Sequence, residues 1–196
     1  MFQNDNESIS SLTCSNILRP PNDDFVDDTS WHCAWSPSGQ VLASCHGKRI
    51  FMWTNKTRGR TNIKCDIGSS EGNDKNNNQW ELLGRLPDVH ERTVRCIAFS
   101  PCGTVLASAS FDGTVAIFEK TNAVSTVIYN DKELLDCWEC TAQLEGHESE
   151  VKHVCWNSAG TLLATCGRDK VSFVCSYAYI NISTLNKYNL KNSSGL

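Results

Sequence analysis

Two sets of residues with the same composition and spacing could carry chemistry in this chain. Each consists of a histidine, a hydroxyl residue and an aspartate: His90, Ser108 and Asp112, and again His147, Thr165 and Asp169. In both sets the aspartate follows the histidine by 22 residues. An imidazole, a hydroxyl and a carboxylate are the parts of a nucleophilic triad. However, the set is duplicated and no motif for oxyanion donors accompanies it. We therefore predict no catalytic residue and a structural role, in which each carboxylate is buried and hydrogen-bonded.

A second candidate is the CxxC motif formed by Cys137 and Cys140. In a cytosolic protein this spacing can mark a metal site or the redox pair of a thiol enzyme. A zinc site would need a second such pair, or a Cys/His pair at ligand spacing, and the sequence has none. On a strand, residues three positions apart face opposite sides of the sheet. Two ordinary strand cysteines are favoured, so we predict no metal and no other cofactor.

Basic residues lie beside these sets and are candidates for binding a partner. Arg168 and Lys170 flank Asp169, and Arg95 follows His90 on the next expected strand. Guanidinium groups bind carboxylates in a bidentate manner. We therefore predict that Arg168, Arg95 and Lys170 contact a protein partner. The alternatives are solvated surface charge, a brace to a neighbouring turn and, for Arg95, a structural role.

The composition of the chain argues against several classes of function. The net charge is −4, which argues against direct binding of nucleic acid or of an anionic membrane by bulk charge. No apolar run approaches the roughly 18 residues of a membrane span. The first ten residues lack the pattern of a signal peptide, so we expect a cytoplasmic protein, with nuclear access left open.

Eleven cysteines are many for a chain of this length. In a reducing compartment we expect most of them to be small buried hydrophobic residues rather than a disulfide framework. Five of them fall on expected strands: Cys33, Cys45, Cys96, Cys155 and Cys166.

The elements that position these residues repeat three times. When the chain is aligned on the turn glycines Gly39, Gly103 and Gly160, an apolar strand precedes and a similar strand follows each turn. Self-similarity over tens of residues indicates a repeat architecture. Each unit is predicted to form four short antiparallel strands, which makes the fold all-β with sheets repeated radially.

The predicted organisation is a repeat region between polar ends. Residues 1–16 are predicted to be disordered, and residues 17–175 to form the repeat region, with units at about 30–87, 88–144 and 145–175. Within that region we expect a long inserted loop at 55–79 and a surface loop at 119–136. Residues 176–196 are predicted to be a tail outside the repeats.

These units resemble the WD-repeat (WD40) β-propeller family. The residues that carry the resemblance are Gly146-His147, Ser100-Pro101-Cys102-Gly103, Leu106 to Ser110, Phe111 to Val115, and Trp53. The resemblance implies a partial β-propeller of four-stranded antiparallel blades. It also implies that the His, the strand Ser or Thr, the turn Asp and the Trp form a buried hydrogen-bonded chain. Phe118 and Cys175 replace the tryptophan in the second and third units.

Longer strings resemble a narrower family, the WD-repeat subunits of the cytosolic iron–sulfur protein assembly machinery. They are Arg92 to Arg95, Ser108 to Asp112, Leu144 to Lys152, and Leu163 to Lys170. The resemblance implies a non-catalytic scaffold whose partners are other proteins of the targeting complex and apo client proteins. Another WD40 adaptor, such as a substrate receptor of a ubiquitin ligase, is the alternative.

The resemblance covers about residues 30–175, or three of the seven blades of that family. We therefore expect a truncated or mis-spliced gene product, or a short isoform. Three blades cannot close the ring of that family and would leave sheet edges exposed.

Overall fold

The computed structural model describes residues 18–20, 29–55, 80–129 and 132–178, with only the backbone described for 122–137. These residues form eleven strands. Their bounds are β1 (Ser30–Trp35), β2 (Val41–His46), β3 (Arg49–Asn55), β4 (Trp80–Arg85), β5 (Val94–Phe99), β6 (Val105–Ser110), β7 (Val115–Tyr129), β8 (Lys132–Leu144), β9 (Val151–Trp156), β10 (Leu162–Gly167) and β11 (Ser172–Ser176). The predicted disordered N-terminus (1–16), residues 56–79 of the inserted loop and the tail beyond 178 lie outside the described residues.

The strands form three antiparallel sheets in chain order. The first sheet is β1-β2-β3-β4, the second is β5-β6-β7-β8, and the third is β11-β10-β9. This arrangement confirms the prediction of an all-β fold with partial propeller blades. The third sheet has three strands in the described part of the chain, rather than the four that were predicted. The description ends at residue 178, two residues after β11.

A glycine turn joins the first two strands of each sheet, which explains why the alignment located the strands. Gly39, Gly103 and Gly160 have φ values of 68°, 75° and 69°. Their amides donate to the carbonyl three residues earlier at 2.8, 2.9 and 3.0 Å. Side chains are disfavoured at this left-handed φ, so glycine fixes the turn and with it the register of the flanking strands.

The predicted surface loop at 119–136 is wrong. Strand β7 continues through it to Tyr129, and β8 begins at Lys132. The two strands pair from Ser125 opposite Asp136 to Tyr129 opposite Lys132, after an irregular register between Lys120 and Ser125. Residues 124–129 read VSTVIY, which is rich in strand-forming types, and pairing satisfies their backbone groups.

The inserted loop also begins later than predicted. Asn55 is the last residue of β3 and pairs with Trp80, the first residue of β4. The loop therefore leaves the sheet after Asn55, and its two ends are held together by the ladder.

Apolar side chains between consecutive sheets form two cores. One core lies between the first and second sheets, and includes Met52, Ile97 and Phe118. The other lies between the second and third sheets, and includes Ile117 and Val154. A fully buried side chain of this size contributes about 1.5–3 kcal/mol relative to exposure, so inter-sheet packing is a main source of stability. In the described part of the chain no helix has the length and apolar character needed to cross a membrane.

The expectation of buried cysteines is correct only in part. Cys45 and Cys96 lie within cores at 0% and 1% exposure. Cys33, Cys155 and Cys166 are on strands as predicted, yet they are exposed. The physical reason is that they lie on the two faces of the sheet stack that no described sheet covers. All eight cysteines whose side chains are described are free thiols.

Candidate functional site

The first histidine set is joined by hydrogen bonds in the second sheet. Nε2 of His90 lies 2.6 Å from Oγ of Ser108 on β6. Nδ1 of His90 lies 3.0 Å from Oδ2 of Asp112 in the turn between β6 and β7. A carboxylate can only accept, so Nδ1 carries the proton donated to Asp112, and in the neutral imidazole Nε2 accepts a hydrogen bond from the Ser108 hydroxyl.

Asp112 also collects donors from the backbone and from a neighbouring hydroxyl. The amide of Glu91 donates to Oδ2 at 3.0 Å. The amide and hydroxyl of Thr114 donate to Oδ1 at 2.9 and 2.7 Å. Burial alone would raise the pKa of the Asp112 carboxyl, but the hydrogen bonds from His90 and Thr114 outweigh it. The pKa of Asp112 therefore lies far below its ordinary value, and the carboxylate stays ionised.

The second histidine set has the same geometry in the third sheet. Nδ1 of His147 lies 2.7 Å from Oδ2 of Asp169, and Nε2 lies 2.9 Å from Oγ1 of Thr165 on β10. A Cβ at Gly167 would lie 2.7 Å from Nδ1 of His147, so glycine permits this close approach. Burial raises the pKa of the Asp169 carboxyl, while hydrogen bonds from the Val171 amide and from His147 lower it, with a net lowering.

The first sheet has a different arrangement around its tryptophan. Nε1 of Trp53 donates to Oγ of Ser44 at 2.8 Å, and Ser44 Oγ lies 3.1 Å from Nε2 of His46. Ser44 occupies the same position after its turn glycine as Ser108 and Thr165 do. Phe118 and Cys175 have no ring N–H, so the indole contact is confined to Trp53 among these three positions.

The burial of the hydroxyls argues against a nucleophilic triad. Ser108 is 0% exposed and Thr165 is 5% exposed. A nucleophile needs access to its substrate, and neither hydroxyl has it. What the two sets can do is brace each sheet, because every polar atom in them has a partner.

The cysteines of the CxxC motif both lie on β8. The Cys140 thiol is half-buried and lies 3.6 Å from the carbonyl of Ala142, and burial raises the pKa of this thiol. The Cys137 side chain lies outside the described residues. Among the side chains that are described, no group of three or more His, Cys, Asp or Glu residues could hold a metal ion.

The charged side chains that a partner could reach lie on the surface, around Glu150. Nζ of Lys152 lies 2.7 Å from Oε2 of this carboxylate. An Arg168 guanidinium nitrogen is 3.5 Å from Oε2, and an Arg92 nitrogen is 3.4 Å from Oε1. The hydrogen bond from Lys152 is the main cause of the lowered pKa of Glu150. Three cations meet one carboxylate, so the cluster retains positive charge.

The three cations remain open to solvent. The side chains of Arg168, Arg92 and Lys152 are 69%, 58% and 41% exposed, whereas Glu150 is 15% exposed. The predicted residue Arg168 is thus both exposed and loosely braced. Lys170 is exposed beside it on the same turn, with φ of 66°.

Arg95 lies on an aromatic extension of this cluster. Its guanidinium carbon lies 5.5 Å from the ring centroid of Trp31. Trp31 contacts Phe111 at 5.9 Å between centroids, and Nζ of Lys152 lies 4.0 Å from the Phe111 ring. We call the continuous surface formed by these residues the basic–aromatic surface. Its members are Trp31, Arg92, Arg95, Phe111, Glu150, Lys152 and Arg168.

Sequence reasoning missed four members of this surface that carry charge or an indole: Trp31, Arg92, Glu150 and Lys152. Glu150 lies just before β9 and Lys152 lies on it, and opposite charges two residues apart were a usable local signal. The contact of Arg92 with Glu150 joins residues 58 positions apart and had no local signal.

A comparison with protein families identifies the repeats by sequence. The sequence profile described as "WD domain, G-beta repeat" matches residues 12–54, 80–119 and 138–174, which together cover more than half of the chain.

Individual relatives share a narrower name. A protein of Mycosarcoma maydis named "Probable cytosolic iron-sulfur protein assembly protein 1" is 34% identical over 164 residues, covering 72% of this chain and 33% of that protein. A protein of Malassezia globosa with the same name is 44% identical over 108 residues, covering 54% of this chain and 29% of that protein. The "Probable cytosolic iron-sulfur protein assembly protein CIAO1 homolog" of Caenorhabditis elegans is 35% identical over 147 residues, covering 74% and 35%.

The chain spans about a third of the length of these relatives. The family match and the three sheets agree on the repeat architecture. The chain therefore belongs to the WD domain, G-beta repeat family.

Proposed function

We propose that this chain is a non-catalytic docking scaffold in cytosolic iron–sulfur protein assembly. Its partners are proteins of the targeting complex and apo client proteins, and its location is the cytosol. The names of the relatives support this assignment, because they refer to cytosolic iron–sulfur protein assembly. Those names give no support to a nuclear location.

The observation that carries a docking role is the unequal charge around Glu150. Three cationic side chains converge on one carboxylate, and Arg168 keeps 69% of its side chain exposed. A carboxylate of a partner protein could pair with Arg168 or Arg92 at the surface, and no buried group would have to be displaced. Trp31, which is 44% exposed, adds apolar area beside the charges. Aromatic and arginine side chains are enriched where proteins bind one another.

Arg95 and Lys170 have different parts in this proposal. Arg95 holds the Trp31 ring from one side, so its contribution is to position the aromatic part of the surface. Lys170 adds charge at the edge, next to Arg168. The set of His147, Thr165 and Asp169 acts from beneath by fixing the turn that carries Arg168 and Lys170.

Depletion and complementation test the proposed function. Cells depleted of this gene product should lose activity of cytosolic iron–sulfur enzymes, while a cytosolic enzyme without a cluster stays unchanged. The 196-residue chain and an Arg168→Glu variant are then expressed in the depleted cells. We expect the variant to restore less activity than the unsubstituted chain. Normal iron–sulfur enzyme activity after depletion would refute the proposal.

A further inference from the structure

His32 on β1 joins the first sheet to the second. The backbone amide of Ile97 on β5 donates to Nδ1 of His32 at 3.4 Å. Ile97 is 1% exposed, and a buried backbone amide needs an acceptor inside the protein. Nδ1 can accept a hydrogen bond only while it carries no proton, so the neutral imidazole of His32 holds its proton on Nε2.

The aligned position of the second sheet makes the corresponding contact. His32 and Cys96 both lie seven residues before the turn glycine of their sheet. The thiol of Cys96 donates to the carbonyl of Val154 at 3.7 Å, and Val154 aligns with Ile97. Each of these side chains therefore reaches the backbone of the first strand in the following sheet. Of the two, only the imidazole gains a charge when the pH falls below neutrality.

The surroundings of His32 disfavour that charge. Burial, and then the neighbouring His153 on β9 and Arg95 on β5, lower the pKa of His32 below its ordinary value of 6.5. Cys45 on β2 donates its thiol to the carbonyl of His32 at 3.3 Å, and burial raises the pKa of this thiol to about 11, so it stays neutral. Among the described residues, the charged groups that act on His32 are thus basic, and a charge on its imidazole has no partner among them.

The next contact along the same seam belongs to the basic–aromatic surface. Trp31 precedes His32 on β1, and Arg95 lies two residues before Ile97 on β5. The guanidinium carbon of Arg95 lies 5.5 Å from the centroid of the Trp31 ring. A proton on Nδ1 of His32 would point at the Ile97 amide, which is itself a donor, and its charge would repel Arg95. Protonation therefore opposes both contacts between these two strands.

We propose that His32 is a proton-sensitive joint between the first and second sheets. Its neutral form holds Trp31 and Arg95 together, and its protonated form releases them. The basic–aromatic surface is therefore complete at neutral pH and loses its aromatic part in acid. The joint is a property of this surface and does not depend on the proposed function. Only its consequence, that acid weakens the docking of partners, rests on that function.

Fluorine NMR of the full 196-residue chain, labelled with 5-fluorotryptophan, tests the joint. The Trp31 resonance is identified by its loss in Trp31→Phe, and the imidazole resonances of His32 are assigned by through-bond experiments. The chain is titrated from about pH 8 to about pH 5, the range in which histidines ordinarily change charge. His32 should titrate with a midpoint below 6.5, and the Trp31 resonance should shift with the same midpoint.

Two variants separate His32 from its neighbour. His32→Asn keeps an oxygen that can accept the Ile97 amide but does not titrate in this range, so the shift of the Trp31 resonance should disappear. His153→Asn is the matched control, because it removes another imidazole near the same seam. In this variant the Trp31 shift should remain, and its midpoint should rise because a neighbouring positive charge is lost.

Three results would overturn the proposal. They are a Trp31 resonance that stays unchanged while His32 titrates, a shift that persists in His32→Asn, and a His32 midpoint at or above 6.5. The first and third are read from the unsubstituted chain, so they decide the question even where His32→Asn does not fold. Because the resonances belong to the chain itself, the result is also independent of whether a partner docks.

Discussion

His147 and Asp169 are joined by a contact of 2.7 Å between Nδ1 and Oδ2, across 22 residues of the chain. This bond ties the segment before β9 to the turn after β10. Arg168 lies on that turn, and its backbone amide donates to the carbonyl of Glu150 at 2.8 Å. The buried histidine set and the exposed cationic cluster are therefore one structural unit, in which the first holds the second in place.

Removing the charge of Asp112 should weaken the second sheet. An Asp112→Asn variant places an amide where His90 and Thr114 require an acceptor, so one or more buried groups lose their partner. We expect a loss of about 1–3 kcal/mol in the free energy of unfolding, measured by urea denaturation. Asp88→Asn, which disrupts an ion pair with Arg85 at the surface, is the control and should cost less than about 1 kcal/mol. Equal losses in both variants would contradict the structural role of the histidine set.

Lowering the pH should destabilise the fold through the carboxylates of the histidine sets. The folded-state pKa values of Asp112 and Asp169 are lowered from an ordinary value of 3.8. A lowered folded pKa gives stability that is fully present above the unfolded pKa and is lost as the pH falls through and below it. The stability difference between the unsubstituted chain and Asp112→Asn should therefore be largest near neutral pH, and should shrink below about pH 4. A difference that stays constant from pH 7 to pH 3 would show that ionisation of Asp112 does not contribute.

Glu150 should compete with a partner for the cations around it. A Glu150→Gln variant removes the internal carboxylate, so Arg92, Lys152 and Arg168 would be free to pair with an acidic partner. We expect greater recovery of acidic partners in pull-downs at low salt, and a steeper decline of that recovery with ionic strength. Lower recovery with an unchanged circular dichroism spectrum would show instead that Glu150 holds the cations in their binding geometry.

Lys170 should be replaceable by glycine with a gain in stability. Its φ of 66° lies in the left-handed region, and the corresponding residue of the second sheet is Gly113, with φ of 91°. Lys170→Gly removes the steric cost of this conformation from the folded state, although it also gives the unfolded chain more conformational freedom. We expect a net gain of about 0.5–1 kcal/mol in the free energy of unfolding, measured by urea denaturation. Lys170→Ala changes the same side chain without relieving the backbone and should give no gain. A gain of equal size in both variants would assign the effect to charge.

The sequence predicted the parts of the fold that depend on local signals. The glycines at 39, 103 and 160 need positive φ, so their spacing located the turns and the strands on both sides. The pairing of His90 with Asp112 followed the same logic, because a repeated polar set within apolar strands needs internal partners.

Features that depend on the absence or presence of a packing partner could not be predicted in this way. Cys155 and Cys166 have the sequence pattern of core residues, yet they are exposed because no described sheet covers their face. Residues 119–136 contain charged residues and were interpreted as a loop, but cross-strand pairing extends β7 and β8 through them. The convergence of Arg92 and Arg168 on Glu150 is a tertiary contact that strand periodicity does not encode.

The most direct test of the account is partner capture by the chain with Arg168 reversed in charge. Tagged unsubstituted chain, Arg168→Glu and Lys120→Glu are expressed in cells, and recovered apo iron–sulfur clients and complex subunits are quantified by mass spectrometry. Lys120 is an exposed cation beside Thr104, at the opposite end of the second sheet from the Asp112 turn. The account predicts at least about a tenfold loss of partner recovery for Arg168→Glu and no loss for Lys120→Glu. Undiminished recovery with Arg168→Glu, or an equal loss with Lys120→Glu, would contradict the assignment of the basic–aromatic surface as the docking site.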